Sequence, residues 1–498
     1  MKRFACSVLG CLILNWAAPG QPVVSPAVVG PREGFEYLGR IEPRHARDIK
    51  SSNWAVGAET MGRDYTIYAN WREYFGPLGV KRARIQSGWA KTEKQKGRYD
   101  WAWLDEIIPD MIDQGVQPWV CLCYGNPIYP GGGGTGLGGG LPATPEAKKA
   151  WEGFVDAFVE RYGDRIAEWE IWNEPQGGVK GVPGYGDLVI RTAQVIRKRE
   201  PKGHIMVAAG GAFDVDFVDK LLELLKEEDK LHLVDEVVYH PYAYNPDSSY
   251  GRVAELRKVV GVYSGRITIR QNENGAPSQP GSFGALAKHD WTEEYQAKWA
   301  LRRLMGDLGR DIPSSYFAIC DMVYLVTESG RDSDLRQGEA EVRKRVNFKG
   351  LLAVNPEDKT VDHAKVAYRA VQHITAIFDN TVKRIAGYAC RVSGGGEKNT
   401  YSAFGYRAAG GGRIVTLWRD GDKPGVRPEK ELLTVTVEDG QFNQPVWIDM
   451  LSGEVYRIPG SAWQWQGSQV TFRNMPVYDH VVLIAEQAAI RFAPEKPD

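Results

Sequence analysis

Two glutamates in this chain are built for chemistry. Glu174 closes the run Glu168-Trp-Glu-Ile-Trp-Asn-Glu-Pro175, and Glu273 sits in Ile269-Arg-Gln-Asn-Glu-Asn-Gly-Ala-Pro-Ser278. Each ends a short, mostly apolar stretch on Asn-Glu and is followed by a turn residue, Pro in one case and Asn-Gly in the other. A β-strand that delivers a carboxylate to its C-terminal tip has this pattern. Two such carboxylates across one cleft can protonate a leaving oxygen and attack an anomeric carbon, the chemistry of glycosidic cleavage.

The elements that position them form a repeating series. Candidate strands are Trp54–Glu59, Val80–Gln86, Gln117–Tyr124, Ala167–Asn173, His204–Ala209, Asp235–His240, Ile267–Asn272 and Tyr316–Val323. They are rich in Val, Ile, Trp, Tyr and Ala, as strands covered on both faces should be. Amphipathic helical runs lie between them. Trp101–Gln114 repeats apolar residues at three- and four-residue spacing, and Thr144-Pro-Glu146 opens the next helix with a cap and a first-turn proline. Trp291–Asp307 and Val361–Phe378 read as the last two large helices. Eight strands alternating with helices over roughly 330 residues predict a (β/α)8 TIM barrel. A doubly wound sheet is the competing fold, but the segment after Glu59 is no Gly-rich nucleotide turn.

Beyond about residue 380 the texture changes to short alternating runs parted by Gly, Asp and Pro: Arg413–Trp418, Leu432–Val437, Pro445–Asp449 and His480–Leu483. They predict a C-terminal β-sandwich packed against the barrel, with a carbohydrate-binding role as the lesser alternative. The expected division is a signal peptide over 1–20, a barrel over 35–380 and a sandwich over 381–498. Gly131–Gly140 follows the third strand and lacks the Gly-Lys-Ser/Thr ending of a phosphate loop. It reads as a mobile loop edging a substrate groove, against the plainer reading of a spacer.

In these positions Trp172-Asn-Glu-Pro175 and Glu273 resemble the clan A glycoside hydrolases, and the overall look is similar to family 39-like members acting on plant or algal polysaccharide. The resemblance implies that Glu174 is the acid/base, Glu273 the nucleophile and Asn173 a partner of the neighbouring sugar hydroxyl. Tyr239-His-Pro-Tyr242 resembles the clan's His and Tyr positions, so His240 and Tyr242 belong to the expected site. Chemistry supports the same division. An acid needs a raised pKa, here from apolar Trp and a neighbouring carboxylate, whereas a nucleophile needs donors or a cation. Arg84, near the end of strand two, is placed to be that cation, with a structural cation inside the barrel as the plainer reading. Gln86, Trp89, Tyr124 and Asn126 are further candidates for sugar contact, and Glu59 is a weaker one. Glu168 and Glu170 lie earlier on strand four and are expected lower in the barrel or in helix contacts. Strand eight departs from the clan, offering Asp321 or Tyr324 where a Trp floor is common.

Composition narrows the partners. The 498 residues carry 62 basic and 63 acidic side chains, a net charge of −1, which gives no reason to expect nucleic acid or an anionic membrane. Hydrophobic content of 43% suits a soluble core, and among 16 Trp, 23 Tyr and 15 Phe some rings are free to stack on sugars. The expected partner is carbohydrate; the oligomeric state is not readable. No HExxH, paired Cys-x-x-Cys or EF-hand loop appears, so no metal and no cofactor is expected. Met1-Lys-Arg3, the apolar Phe4–Leu14 and Ala18-Pro-Gly20 resemble an export signal too short to span a membrane, placing the chain outside the cytoplasm or in the periplasm. Val8-Leu-Gly-Cys11 offers lipid anchoring as the lesser alternative. Cys6 and Cys11 would leave with the signal. Cys121, Cys123, Cys320 and Cys390 read as free thiols, the first two sharing one face of a strand. The rival function is a non-catalytic carbohydrate-binding protein on the same barrel. A lyase or aldolase would want a strand-end Lys or a metal cluster.

Overall fold

A computed structural model describes residues 34–326, 343–425, 429–438 and 441–494. The expected export signal lies outside these residues. Among the described residues no helix is long and apolar enough to cross a membrane.

Eight parallel strands close into a barrel: Trp54–Gly57, Arg82–Gln86, Gln117–Leu122, Glu168–Ile171, His204–Ala208, Glu236–Tyr239, Thr268–Gln271 and Ser314–Tyr316. Parallel pairing runs around the ring, with Arg84 opposite Trp119, Val120 opposite Trp169, and Trp54 opposite Ser314 at the closure. Side chains alternate in and out along each strand, so Arg82, Arg84 and Gln86 share one face, as do Glu168 and Glu170. The barrel is therefore partly ionic inside. In a lower layer Arg270 bonds Glu168 at 3.1 Å and Glu236 at 2.9 Å, and Arg82 reaches Glu168 at 2.7 Å. Above it Arg84 meets Glu170. Cations and carboxylates alternate because an unpaired charge buried there would be costly.

Helices wrap the ring. Ala102–Asp113 buries Leu104, Ile107, Ile108 and Met111. Pro145–Tyr162 begins at Thr144, whose hydroxyl accepts from the Ala147 amide at 3.2 Å. Glu293–Leu308 is the last large helix before strand eight.

Three expectations are corrected. Strand eight is Ser314–Tyr316, not Tyr316–Val323; the apolar run beyond it, Met322–Val326, leaves the barrel and pairs with Arg343–Asn347 in a hairpin. The expected helix over Val361–Phe378 is shorter, because Val361–Ala364 is a strand paired with Leu352–Val354 and Val366–Ile377 alone is helical. The β-branched start at Val361 and the break at Lys365 are the local reason. The N-terminal strand Glu36–Ile41, expected within the barrel segment, instead pairs with Glu454–Arg457.

That strand belongs to the larger of the two antiparallel sheets that form the sandwich among the described residues, between Glu454–Arg457 and Phe492–Ala493. The smaller contains Cys390–Ser393, Glu431–Glu438, Gln469–Val477 and Trp463–Gln466. Val415, Leu417, Val435, Trp447, Phe472 and Ile484 form the core between them. The larger sheet's other face carries Ile414, Trp418, Ile448 and Leu483 into the barrel's core. Polar contacts pin the joint. Trp418 Nε1 donates to Asp247 at 3.3 Å, and Lys298 pairs with Asp479 at 3.2 Å.

Beside that joint, His480 is buried and bonded to Asp449 at 3.0 Å. Burial works against its charge, but Asp449 and Asp479 outweigh it and push its pKa up to about 9. A raised histidine stabilises the fold fully below its unfolded value, and that contribution fades as pH rises through the folded one. The Tm gap between the wild type and His480→Gln is therefore expected to be widest near pH ~6 and to shrink by pH ~9.5. A gap independent of pH would contradict the pairing.

Candidate active site

Strand four stops after Ile171, and the next three residues turn sharply. Trp172 and Glu174 adopt φ of 66° and 44°, a left-handed conformation that bulky residues avoid. Each such residue stores on the order of 1–3 kcal/mol and persists where surrounding structure enforces it. Trp172 is held edge-on by Tyr124 and Trp151, with ring centroids 5.8 and 5.7 Å away. The turn aims Glu174 at the barrel axis.

There Glu174 meets His240, from just beyond strand six, at 2.7 Å. The same His240 Nδ1 lies 3.7 Å from Glu273 Oε2, and one ligand-type atom from each of Glu174, His240 and Glu273 lies within 4.8 Å of the others. Glu273 takes a hydrogen bond on each oxygen, from Arg84 Nη1 at 2.6 Å and from Tyr242 Oη at 2.8 Å. Arg84, fully buried, is the hub. It grips Glu170 through Nε and Nη2, reaches Asn173 Oδ1 at 2.7 Å, and bonds Glu59 Oε1 at 2.9 Å. Asn173 in turn donates to Tyr124 Oη at 2.6 Å. Glu174, Glu273, Asn173, Arg84, His240, Tyr242 and Tyr124 thus form one connected network.

Electrostatics within it are set by two cations. Burial pushes Glu170 up, but Arg84 outweighs it and holds the carboxyl below its ordinary range. For Glu174, burial again pushes upward, yet the His240 hydrogen bond and charge win and the pKa is lowered. This reverses the expected raised value. His240 is raised despite burial, through Glu273 first and Glu174 next. Both shifts favour the shared proton on the imidazole. Grouped donors of this kind could in principle share a divalent ion, but each carboxylate here already has a cationic or hydroxyl partner, which fits a proton-sharing set better.

Trp89 is placed elsewhere. Its ring is fully buried, stacked between Tyr129 and Phe154 with centroids 5.7 and 5.9 Å away, and Nε1 donates to Glu93. Its ring packs the core and also borders the cavity lined by Gln86 and Tyr124. Asn126 likewise serves the fold, donating to the Glu93 carbonyl at 2.8 Å. The Gly-rich stretch folds back on itself through Gly134 N to Gly139 O at 2.7 Å and Asn126 N to Gly132 O at 2.9 Å. A Cβ at Gly132 would lie 2.1 Å from the Asn126 carbonyl, so the glycines permit close backbone approach. The loop does edge a cavity. Thr135, Gln86, Tyr124, Arg63, Tyr65 and Lys91 line a space of about 260 Å³ next to the network.

Beyond strand eight, the candidates Asp321 and Tyr324 have partners of their own. Asp321 is buried in an ion pair with Lys365 at 2.6 Å, and Tyr324 packs on Tyr65 with centroids 4.6 Å apart. Asp321 lies just before, and Tyr324 within, Met322–Val326, the strand that pairs with Arg343–Asn347 outside the barrel. Lys349, buried beyond the hairpin, is driven down to about 7 by burial against the opposing pull of Glu273 and Asp321. No motif announces it. Glu168 sits in the lower ionic layer as expected, and the four cysteines among the described residues are free thiols, with the sulfurs of Cys121 and Cys123 3.6 Å apart.

The architecture is a closed (β/α)8 barrel joined to a β-sandwich, with paired glutamates at the C-terminal mouth. Solved structures of glycoside hydrolases share it. One is a family 39 glycoside hydrolase from the gut symbiont Bacteroides cellulosilyticus WH2, 16% identical, with a TM-score of 0.59 over 87% of this chain and 81% of that one. Another is a GH39 β-xylosidase from Caulobacter crescentus, 15% identical, TM-score 0.52, covering 90% and 97% of the two chains. At such identities the likeness establishes the fold. No family model matches the chain. Over 147 residues it is 28% identical to the probable inactive beta-glucosidase 14 of Oryza sativa subsp. japonica, a match spanning 26% of this chain and 28% of that protein.

Proposed function

We propose that the protein is a retaining glycoside hydrolase in which Glu273 is the nucleophile and Glu174 the acid/base, acting on a poly- or oligosaccharide outside the cytoplasm. The observation that carries this reading is the close approach of the two carboxylates around His240, within 4.8 Å. Retaining pairs stand roughly 5–5.5 Å apart, whereas inverting pairs leave about 6.5–9.5 Å for a water.

The first step follows from the contacts. Arg84 and Tyr242 each donate to one oxygen of Glu273 and fix the carboxyl, so it meets an anomeric carbon without reorganising. Glu174 protonates the departing oxygen. Its proton is shared with His240, and the pair titrates as a unit. As Glu273 becomes an ester it loses its charge, and with it the largest influence raising the His240 pKa. The imidazole releases its proton most readily when the leaving group needs one. In the second step Glu174, now a carboxylate, takes a proton from water, which attacks the glycosyl ester. Asn173, oriented by Arg84 and Tyr124, is placed to bond the hydroxyl next to the reacting carbon.

Activity should fall in alkali as the His240–Glu174 pair, whose imidazole is raised by Glu273 and Glu174, loses its proton. The test of the reading is proton NMR of the first-formed sugar from a panel of aryl β-glycosides that includes the xyloside. Release of the same anomer supports retention, and release of the opposite one contradicts it. Binding to oligosaccharides with no turnover of any substrate would favour the non-catalytic carbohydrate-binding protein.

A further inference from the structure

Glu59 lies just beyond strand one, 1% exposed, and is bound to the same guanidinium nitrogen as Glu273. Arg84 Nη1 stands 2.9 Å from Glu59 Oε1 and 2.6 Å from Glu273 Oε2, while Nε and Nη2 are committed to Glu170. One positive charge thus faces three buried carboxylates. His240 adds a second cation, but its contacts are Glu174 and Glu273. The charges do not balance if all three are ionised.

We infer that Glu59 is a positioning residue that works in the protonated form, bridging Arg84 without its charge and so leaving the guanidinium to Glu273 and Glu170. Its surroundings single it out. Glu170 has a two-pronged contact with Arg84 and a further donor in Trp119 Nε1 at 3.1 Å. Glu273 has Tyr242. Beyond Arg84, Glu59 has as side-chain partner the Gln86 amide, 3.4 Å from Oε2, whose oxygen can turn to accept a carboxyl proton. The other groups facing Glu59 are the anions Glu273 and Glu170 and the neutral Tyr242 phenol. Burial raises the Glu59 pKa most, Arg84 opposes it, Glu273 and Glu170 add to it, and the result is about 8. Ionisation of Glu59 would pull Nη1 away from the nucleophile, and attack geometry is sensitive to such shifts.

The proton assignment stands on this geometry alone; its catalytic consequence rests on the reading of Glu273 as nucleophile. Infrared difference spectra of the intact protein between pH ~7 and ~9 test the first part. Asp307 and Asp321, each raised to about 6, ionise before that window opens. A carboxylic-acid C=O band that disappears with a midpoint near 8 in the wild type, and is missing in Glu59→Gln, is the expected result. A wild type with no such band, or a Glu59→Gln protein that keeps it, would overturn the assignment. For the second part, Glu59 ionisation adds to the alkaline fall set by the His240–Glu174 pair. In Glu59→Gln, whose amide cannot ionise, that fall of kcat/KM should move to higher pH, as far as the pair's own proton loss. An unmoved alkaline limb would overturn the catalytic consequence while leaving the proton in place. Failure of the nucleophile reading itself would show separately, as retained activity in a Glu273 variant.

Discussion

Alanine at position 273 is expected to lower kcat by about 10⁴–10⁶-fold, the scale on which loss of a covalent nucleophile is felt. No neighbouring group can take its place. Glu59 and Glu170 are tied to Arg84, and Glu174 is engaged with His240. The fold should survive, because Arg84 keeps its double contact with Glu170 and its bond to Asn173. Circular dichroism and thermal melting would check that survival, and steady-state assays on aryl β-glycosides would read the loss. Activity within tenfold of wild type in a folded variant would remove Glu273 from the nucleophile's role.

Glu174→Ala should behave differently, and the difference is diagnostic. General acid catalysis contributes about 10²–10⁴-fold, and that loss should be largest for poor leaving groups. With dinitrophenol, which needs little protonation, the first step should proceed and the glycosyl-enzyme should accumulate for want of a base. Azide needs no base and fits the space vacated by the carboxylate. It should restore turnover and give a glycosyl azide with the substrate's own anomeric configuration. A variant equally slow on all leaving groups and unmoved by azide would contradict the role given to Glu174.

The parts of this site that were legible in the sequence are those with local signatures. Asn-Glu followed by a turn residue marks a strand tip whatever surrounds it, so Glu174 and Glu273 could be placed on strands four and seven. Arg84, His240 and Tyr242 followed from counting along neighbouring strands. What failed was set by distant partners. The run from Ile319 to Val326 is as apolar and β-branched as any barrel strand, yet its Met322–Val326 part pairs with Arg343–Asn347, and no pattern in the run itself distinguishes a barrel partner from a hairpin partner. Trp89 follows the strand-two tip as a sugar platform would, and its ring packs on Tyr129 and Phe154 while bordering the cavity beside the network. The direction of the Glu174 pKa was misjudged for a related reason. Apolar neighbours were visible in its own segment, while the imidazole that outweighs them arrives from strand six. Lys349 was invisible because a lysine in a loop ordinarily faces water, and only the folded hairpin buries it.

The most direct test of the central claim is to label the protein with a 2-deoxy-2-fluoro glycoside bearing a good leaving group, digest it, and sequence the modified peptide by mass spectrometry. Fluorine slows both steps, and a good leaving group lets the glycosyl-enzyme build up. The account predicts one added sugar, joined as an ester to Glu273. Attachment to Glu174 or Glu59, or turnover that inverts configuration with no covalent adduct at all, would contradict it.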